Sequence, residues 1–219
     1  MKNPSENIRK RKPDLSPYLF HFTSIEEPID IMINILSERC LKSNELEYIC
    51  FTESPLSHSI EQFNYMYSFY PWRNPMYSKF GIGFDRDMLI REYKARPVIY
   101  GDLKEYNLLD DSLRWRFEKL DLDEHDYTWL REWRIRGNSF DFSKVSPDDI
   151  IVIAPTKIDL AQLVLEKEFD ELDFNFEDGT CYPYPIYRLA KVWKCITIEE
   201  ANTYPNDYKV KEIVDKQQL

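Results

Sequence analysis

The chain has 219 residues, enough for one large domain or two small ones, and its 43% hydrophobic content is enough for a substantial core. Aromatic residues make up 15%, with 15 Tyr and 13 Phe, so the core and any pocket are expected to be aromatic-rich. The formal net charge of -10 argues against a general nucleic-acid or membrane-surface binder, whose affinity rests on positive potential.

Residues 1–17 form a polar arm that carries Arg9-Lys10-Arg11-Lys12 between prolines. It reads as a flexible tail, with a small phosphate-contacting arm as the alternative. The rest, 18–219, reads as a single α+β domain, because strands and helices are interspersed and no linker or repeat divides them. The first strand is "YLFHFTS" at 18–24, in which alternation puts Leu19, His21 and Thr23 on one face. A helix follows, with Ser24 in the N-cap position, Pro28 tolerated in the first turn, and Ile29, Met32, Ile33 and Leu36 on one face. "YICFT" at 48–52 is a second strand, leading into an aromatic-rich helix. "FGIGF" at 80–84 is a third, after which Asp85 caps a helix through Tyr93. "PVIY" at 97–100 is a fourth, its leading proline marking an edge or a strand start. An acidic, mostly helical stretch runs from 102 to 126. Then come "TWLREWRIRG", the strand "IIVIAP", a helix near 159–169, an acidic loop and a late strand "IYRLAKVWKC".

The four cysteines, Cys40, Cys50, Cys181 and Cys195, form no CxxC pair, and three histidines complete no zinc pattern. Five scattered glycines supply neither a P-loop nor a Rossmann fingerprint. No apolar run approaches membrane-spanning length and nothing resembles a signal peptide. The expectation is a cytoplasmic protein with reduced thiols, no metal and no membrane partner.

Three stretches bear on chemistry. His21 and Thr23 share a strand face, and imidazole and hydroxyl together can hold a ribose or diol; a lone strand histidine is more often structural. Cys50 through Leu56 places polar groups where a strand meets a helix, a favoured ligand position, though a cap by Ser54 or Ser57 explains Glu53 and Ser54 equally well. In "WLREWRI", alternation sets Glu132, Arg134 and Arg136 on one face and Arg131, Trp133 and Ile135 on the other. Such a face is often a surface ion-pair ladder, but tryptophans on both sides would partly dehydrate Glu132, and a carboxylate in a semi-dry cleft stabilises positive charge. His125 could join a metal site with Asp121, Asp123 or Asp126, but such a charge run reads first as a solvated acidic turn.

"HFT", "ICFTESPLS", "YSKFGIGF", "ARPVIY" and "LREWRI" occur in the order seen in AbiGi-type abortive phage infection proteins, which resemble, remotely, the DarT-like ADP-ribosyltransferases. The resemblance covers residues 18–137. It implies a split, mostly antiparallel sheet with a cleft that receives NAD. On this resemblance His21 contacts a ribose with Thr23 beside it, and Thr52 and Arg73 also face the cofactor. One of Tyr65, Tyr67, Tyr70 or Tyr77 stacks on nicotinamide, and Glu132 is the catalytic carboxylate. The chain departs from the pattern in having no glycine after His21, and Arg73 is the nearest arginine beyond the second strand. Two functions follow as expectations. One is an ADP-ribosyltransferase-like effector of anti-phage or toxin-antitoxin defence, with a protein or nucleic-acid acceptor. The other is a catalytically inactive, antitoxin-like or partner-binding protein of the same fold.

Overall fold

A computed structural model describes residues 4–43, 45–56, 77–122, 126–163 and 193–217. Among the described residues the architecture is mixed, with a mostly antiparallel seven-stranded sheet, two small two-stranded sheets and helices on both faces. The strands of the large sheet are β1 (Tyr18–Phe22), β3 (Tyr48–Thr52), β4 (Gly81–Asp85), β5 (Arg96–Pro97), β8 (Glu132–Arg136), β10 (Ile150–Ala154) and β11 (Lys194–Thr197), in the spatial order β11-β10-β4-β1-β3-β8-β5. Within this sheet, among the described residues, only β10 and β11 run parallel. The small sheets pair β2 (Cys40–Lys42) with β9 (Ser139–Asp141), and β6 (Ile99–Gly101) with β7 (Phe117–Lys119).

The ladder is uneven where it matters. β1 pairs with β4 over five residues, and β3 with β8 over five, yet β1 and β3 meet only at Phe20 and Thr52. The sheet therefore opens between its two halves on either side of that single bridge, leaving room between strands for side chains that a closed ladder would exclude.

Both faces of the sheet are apolar. On one, Leu19, Ile49, Phe51, Ile82, Phe84 and Ile135 pack with α2 (Pro28–Glu38), α3 (Arg86–Arg91) and α6 (Lys157–Ala161). Met32 and Leu36 are buried there, with Ile29 and Ile33 beside them, as the helical spacing predicts. On the other, Tyr18, Phe20, Phe22, Ile151, Ile153 and Ile196 pack with α7 (Ile198–Ala201) and α8 (Asp207–Val214). Gly81 and Gly83 make that second face possible. They lie opposite Phe22 and Phe20, whose rings rest on the bare backbone. A Cβ at Gly83 would stand 2.8 Å from Phe20 and 2.7 Å from Ile151. Gly83→Val is accordingly expected to lower the free energy of unfolding by about 1–3 kcal/mol through overpacking, read as a fall in the urea midpoint at unchanged slope.

Several local readings change. The helix after β1 starts at Pro28, not beyond a Ser24 cap: Glu27 takes a left-handed conformation with φ 48°, and Ser24 bonds the carbonyl of Glu26. Proline at the first helical position disfavours helix in the residue before it, so no Ser-led cap forms. Asp85 does cap α3, accepting from the Met88 N–H at 3.1 Å. The stretch expected as one strand at 97–100 breaks at Val98, giving Pro97 to the edge of the large sheet and Ile99 to a separate one. The acidic region after Asp102 holds α4 (Leu103–Leu108) and α5 (Asp111–Arg114) but also β7. In the segment expected as a loose arm, α1 (Pro4–Arg9) ends on Arg9, which bonds Glu53 and Ser16 O, and Asp14 meets Arg131 at 2.5 Å. Among the described residues no helix is long and apolar enough to cross a membrane.

Candidate functional site

The opening between β1 and β3 holds a cleft of about 210 Å³. β1 contributes Phe20, His21 and Phe22; β3 contributes Tyr48, Cys50, Phe51 and Thr52; β8 contributes Glu132 and Arg134. Tyr77, Tyr127, Leu130 and Glu118 complete the polar and aromatic walls. His21 and Glu132, far apart in the chain, thus line one cavity. The cross-strand register puts Phe20, Thr52 and Glu132 in one row across β1, β3 and β8, with Cys50 facing Arg134 one step along; His21, which alternation assigns to the other face, joins them by turning into the gap between β1 and β3.

His21 enters the opening and donates from Nδ1 to the Cys50 carbonyl at 2.8 Å. A carbonyl can only accept, so the proton sits on Nδ1 and the neutral ring keeps a lone pair on Nε2. Burial lowers the His21 pKa, opposed in part by that hydrogen bond. The sign of the linkage follows. A depressed histidine contributes stability in full above its ordinary value of 6.5, and that contribution is lost as pH falls toward the folded-state pKa, because the unfolded chain takes the proton first. Unfolding midpoints measured between about pH 7.5 and pH 5 should fall more steeply for the wild type than for His21→Asn, which keeps a donor for Cys50 O and cannot titrate.

Arg134 organises the opposite wall. It is only 2% exposed. Nε donates to Glu132 at 2.7 Å, Nη2 to Glu118 at 2.5 Å, and Nη1 to the carbonyls of Trp115 and Phe117 at 3.1 and 2.9 Å. Its guanidinium also lies 4.0 Å from the centre of the Tyr48 ring. Burial works against its charge, but the Glu132 charge and the bonds to Glu132 and Glu118 outweigh it, so its pKa is raised. The Glu132 side chain is 12% exposed and that of Glu118 33%. Two carboxylates therefore face one guanidinium across a cleft whose histidine is neutral, and the local charge is negative.

The Cys50 thiol and the Tyr77 hydroxyl in the cleft, and the Tyr100 hydroxyl, are held in their protonated forms. Burial pushes Cys50 up, and the neighbouring Glu132 charge adds to it, so this sulfur is a thiol and not a nucleophile. Burial does the same to Tyr77 and to Tyr100, whose hydroxyl donates to Tyr127 O at 3.0 Å. Among the described residues no group of three His, Cys, Asp or Glu is placed to hold a metal ion.

Of the residues singled out in the sequence, His21, Thr52, Tyr77 and Glu132 meet in the cleft. The Thr52 hydroxyl, however, is spent on the fold: it donates to Leu130 O and accepts from the Ser54 N–H at 3.1 Å. Thr23 does not join them. β1 ends at Phe22, and the Thr23 hydroxyl turns to Ser78 at 2.6 Å and to Phe80 O. The strand alternation that puts it beside His21 stops one residue too early. Arg73, Tyr65, Tyr67 and Tyr70 lie outside the described residues. Nor do tryptophans wall Glu132. Trp133 points to the other face, donating to Glu53 at 3.0 Å, and Trp129 packs on the second apolar cluster; the dehydrating walls are Tyr48, Tyr77, Tyr127 and Leu130. Tyr48 was within reach of a sequence argument, two residues before Cys50 on the same face. Glu118 was not, because it arrives from a separate small sheet.

Glu53 is buried at 6% exposure and accepts from Trp133 and from Arg9, with Arg86 Nε 2.9 Å away; the helix that Ser54 or Ser57 was expected to cap lies outside the described residues. Near it a second groove of about 270 Å³ runs between the end of α1 and α8. Arg9 and Arg86 there meet Glu53, and Lys211 meets Asp85 at 3.3 Å, so these cations are matched by carboxylates of the chain itself.

In comparisons with protein families, curated proteins and solved structures, nothing matches this chain.

Proposed function

We propose that the cleft between β1 and β3 takes the nicotinamide–ribose end of NAD and that the protein is an ADP-ribosyltransferase-like effector, acting in bacterial anti-phage defence as the motif resemblance implies. The observation that carries this reading is the meeting of a neutral His21 and a largely dehydrated Glu132 in one negatively charged cleft at a split in the sheet. A volume of about 210 Å³ lies below the roughly 300–1,000 Å³ of most ligand pockets, which suits one end of a dinucleotide and leaves its pyrophosphate outside. Fixed negative charge is the natural partner of an oxocarbenium-like transition state. In that step the C1′–N bond breaks, and nicotinamide leaves with the electron pair. The acceptor nucleophile then bonds C1′ and loses its proton. His21 Nε2 is the group able to accept from a ribose hydroxyl or a carboxamide, and Tyr77 and Tyr127 line the cleft where nicotinamide would pack.

The Glu132–Arg134 pair favours a second reading, a catalytically silent protein that binds a partner, because a carboxylate tied to a guanidinium can be purely structural. Incubation of the purified protein with labelled NAD and a cell lysate separates the two. The transferase reading expects nicotinamide release and label on an acceptor; neither release, nor label, nor NAD binding by calorimetry is the outcome that leaves only the silent reading.

A further inference from the structure

Glu132 begins β8 immediately after Arg131, a non-glycine residue in the left-handed region with φ 48° and ψ 53°. Such a residue persists only where its surroundings hold it. Its own N–H bonds Thr128 O at 3.1 Å, and three further contacts hold it. The Glu53 N–H donates to Arg131 O at 3.2 Å, the Thr52 hydroxyl donates to Leu130 O, and the Arg131 side chain meets Asp14 at 2.5 Å. On the far side of Glu132, the Trp133 indole N–H donates to the Glu53 carboxylate at 3.0 Å. One residue thus grips the chain both before and after Glu132, from a position off the cleft wall. Glu53 carries that role in a buried place because Arg9, delivered by the N-terminal segment, and Arg86 face the same carboxylate oxygen. An unpaired buried carboxylate would be costly.

We propose that Glu53 is a positioning residue for Glu132, holding Arg131 through its backbone and Trp133 through its carboxylate, with Arg9 of the N-terminal segment as its counter-ion. The inference rests on Glu132 being the working carboxylate of the cleft. It makes Arg9 and Asp14, neither of which lines the cleft, components of the site: the N-terminal segment braces the strand from behind.

The test combines kinetics with amide exchange in three variants, Glu53→Ala, Glu53→Gln and Trp133→Phe. With an active wild type, Glu53→Ala should lower kcat for nicotinamide release on the order of 100-fold at an unchanged KM for NAD, since misplacement of about 1 Å costs that much. Glu53→Gln, which keeps an acceptor for the indole, should recover most of the rate, and Trp133→Phe should lose part of it. A structural role alone would lower stability and leave this split and this rescue unseen. Exchange is read separately, at the Glu53 amide on Arg131 O and at the Val98 amide, which donates to Glu132 O at 2.9 Å. Both should speed up in Glu53→Ala while β4 and β10 stay protected. If the wild type turns out not to cleave NAD, local loosening at those amides still upholds the bracing and only the transferase reading falls. Unchanged protection there, uniform loosening of the whole sheet, or full kcat in an active Glu53→Ala protein would overturn the proposal. Should Glu53→Ala fail to fold, Trp133→Phe decides by the same readouts.

Discussion

Glu132→Gln is expected to slow nicotinamide release from NAD about 10²–10³-fold while the protein stays folded. The substitution keeps an oxygen that can accept from Arg134 Nε, so the 2.7 Å contact and the packing of the wall survive. What it removes is the negative charge that would face developing positive charge on the ribose. Groups preorganised toward transition-state charge are worth about 2.7–4 kcal/mol each, which is the stated range in rate. KM should hardly move, because ground-state NAD carries little of that positive charge at C1′. Alanine is the poorer probe at this position, since it would strand a guanidinium that is 2% exposed. Steady-state nicotinamide release, with thermal unfolding alongside, checks the expectation. A glutamine variant that works at the wild-type rate would leave Glu132 as nothing more than the partner of Arg134.

Arg134→Met should lower the free energy of unfolding by about 3–5 kcal/mol, the range for removing one member of a buried ion pair. The guanidinium satisfies two carboxylates and two carbonyls at once and lies over the ring of Tyr48. Methionine fills much of its volume but leaves Glu132 and Glu118 with no cation between them. It also unties β7, which carries Glu118, from β8. Arg134→Lys should recover only part of the loss, because an ammonium cannot present the fork that reaches Glu132, Glu118 and the carbonyls of Trp115 and Phe117 together. Urea unfolding gives both values. A loss below about 1 kcal/mol, the ordinary worth of an exposed pair, would mean that solvent reaches this wall freely.

The parts of this fold that were legible in the sequence are those set by local periodicity. Met32 and Leu36 reach the core because helical spacing repeats every three to four residues, and Asp85 caps α3 because a short acidic side chain precedes an amphipathic run. Glu132 and Arg134 share a face because strands alternate. Ser24 was misleading since Pro28 imposes its own start on α2, a constraint on the preceding residue that outranks a hydroxyl three positions earlier. Thr23 was misleading since alternation says nothing about where a strand ends. The role of Glu53 was hidden for a different reason. Its partners, Arg9, Arg86 and Trp133, come from three distant parts of the chain, and no spacing rule links them. The same holds for Glu118, which reaches Arg134 only because the β6–β7 sheet docks beside β8.

An NMR titration of NAD into the full chain, followed at backbone amides and at the His21 imidazole, tests whether the opening in the sheet is a ligand site at all. The proposed cleft predicts saturable shifts confined to residues 20–22, 48–52, 127–134 and 118, with His21 Nε2 reporting a new hydrogen bond while Nδ1 stays bonded to Cys50 O. Absent shifts at millimolar NAD, or shifts gathered instead around Tyr208 and Lys211 in the second groove, would contradict it.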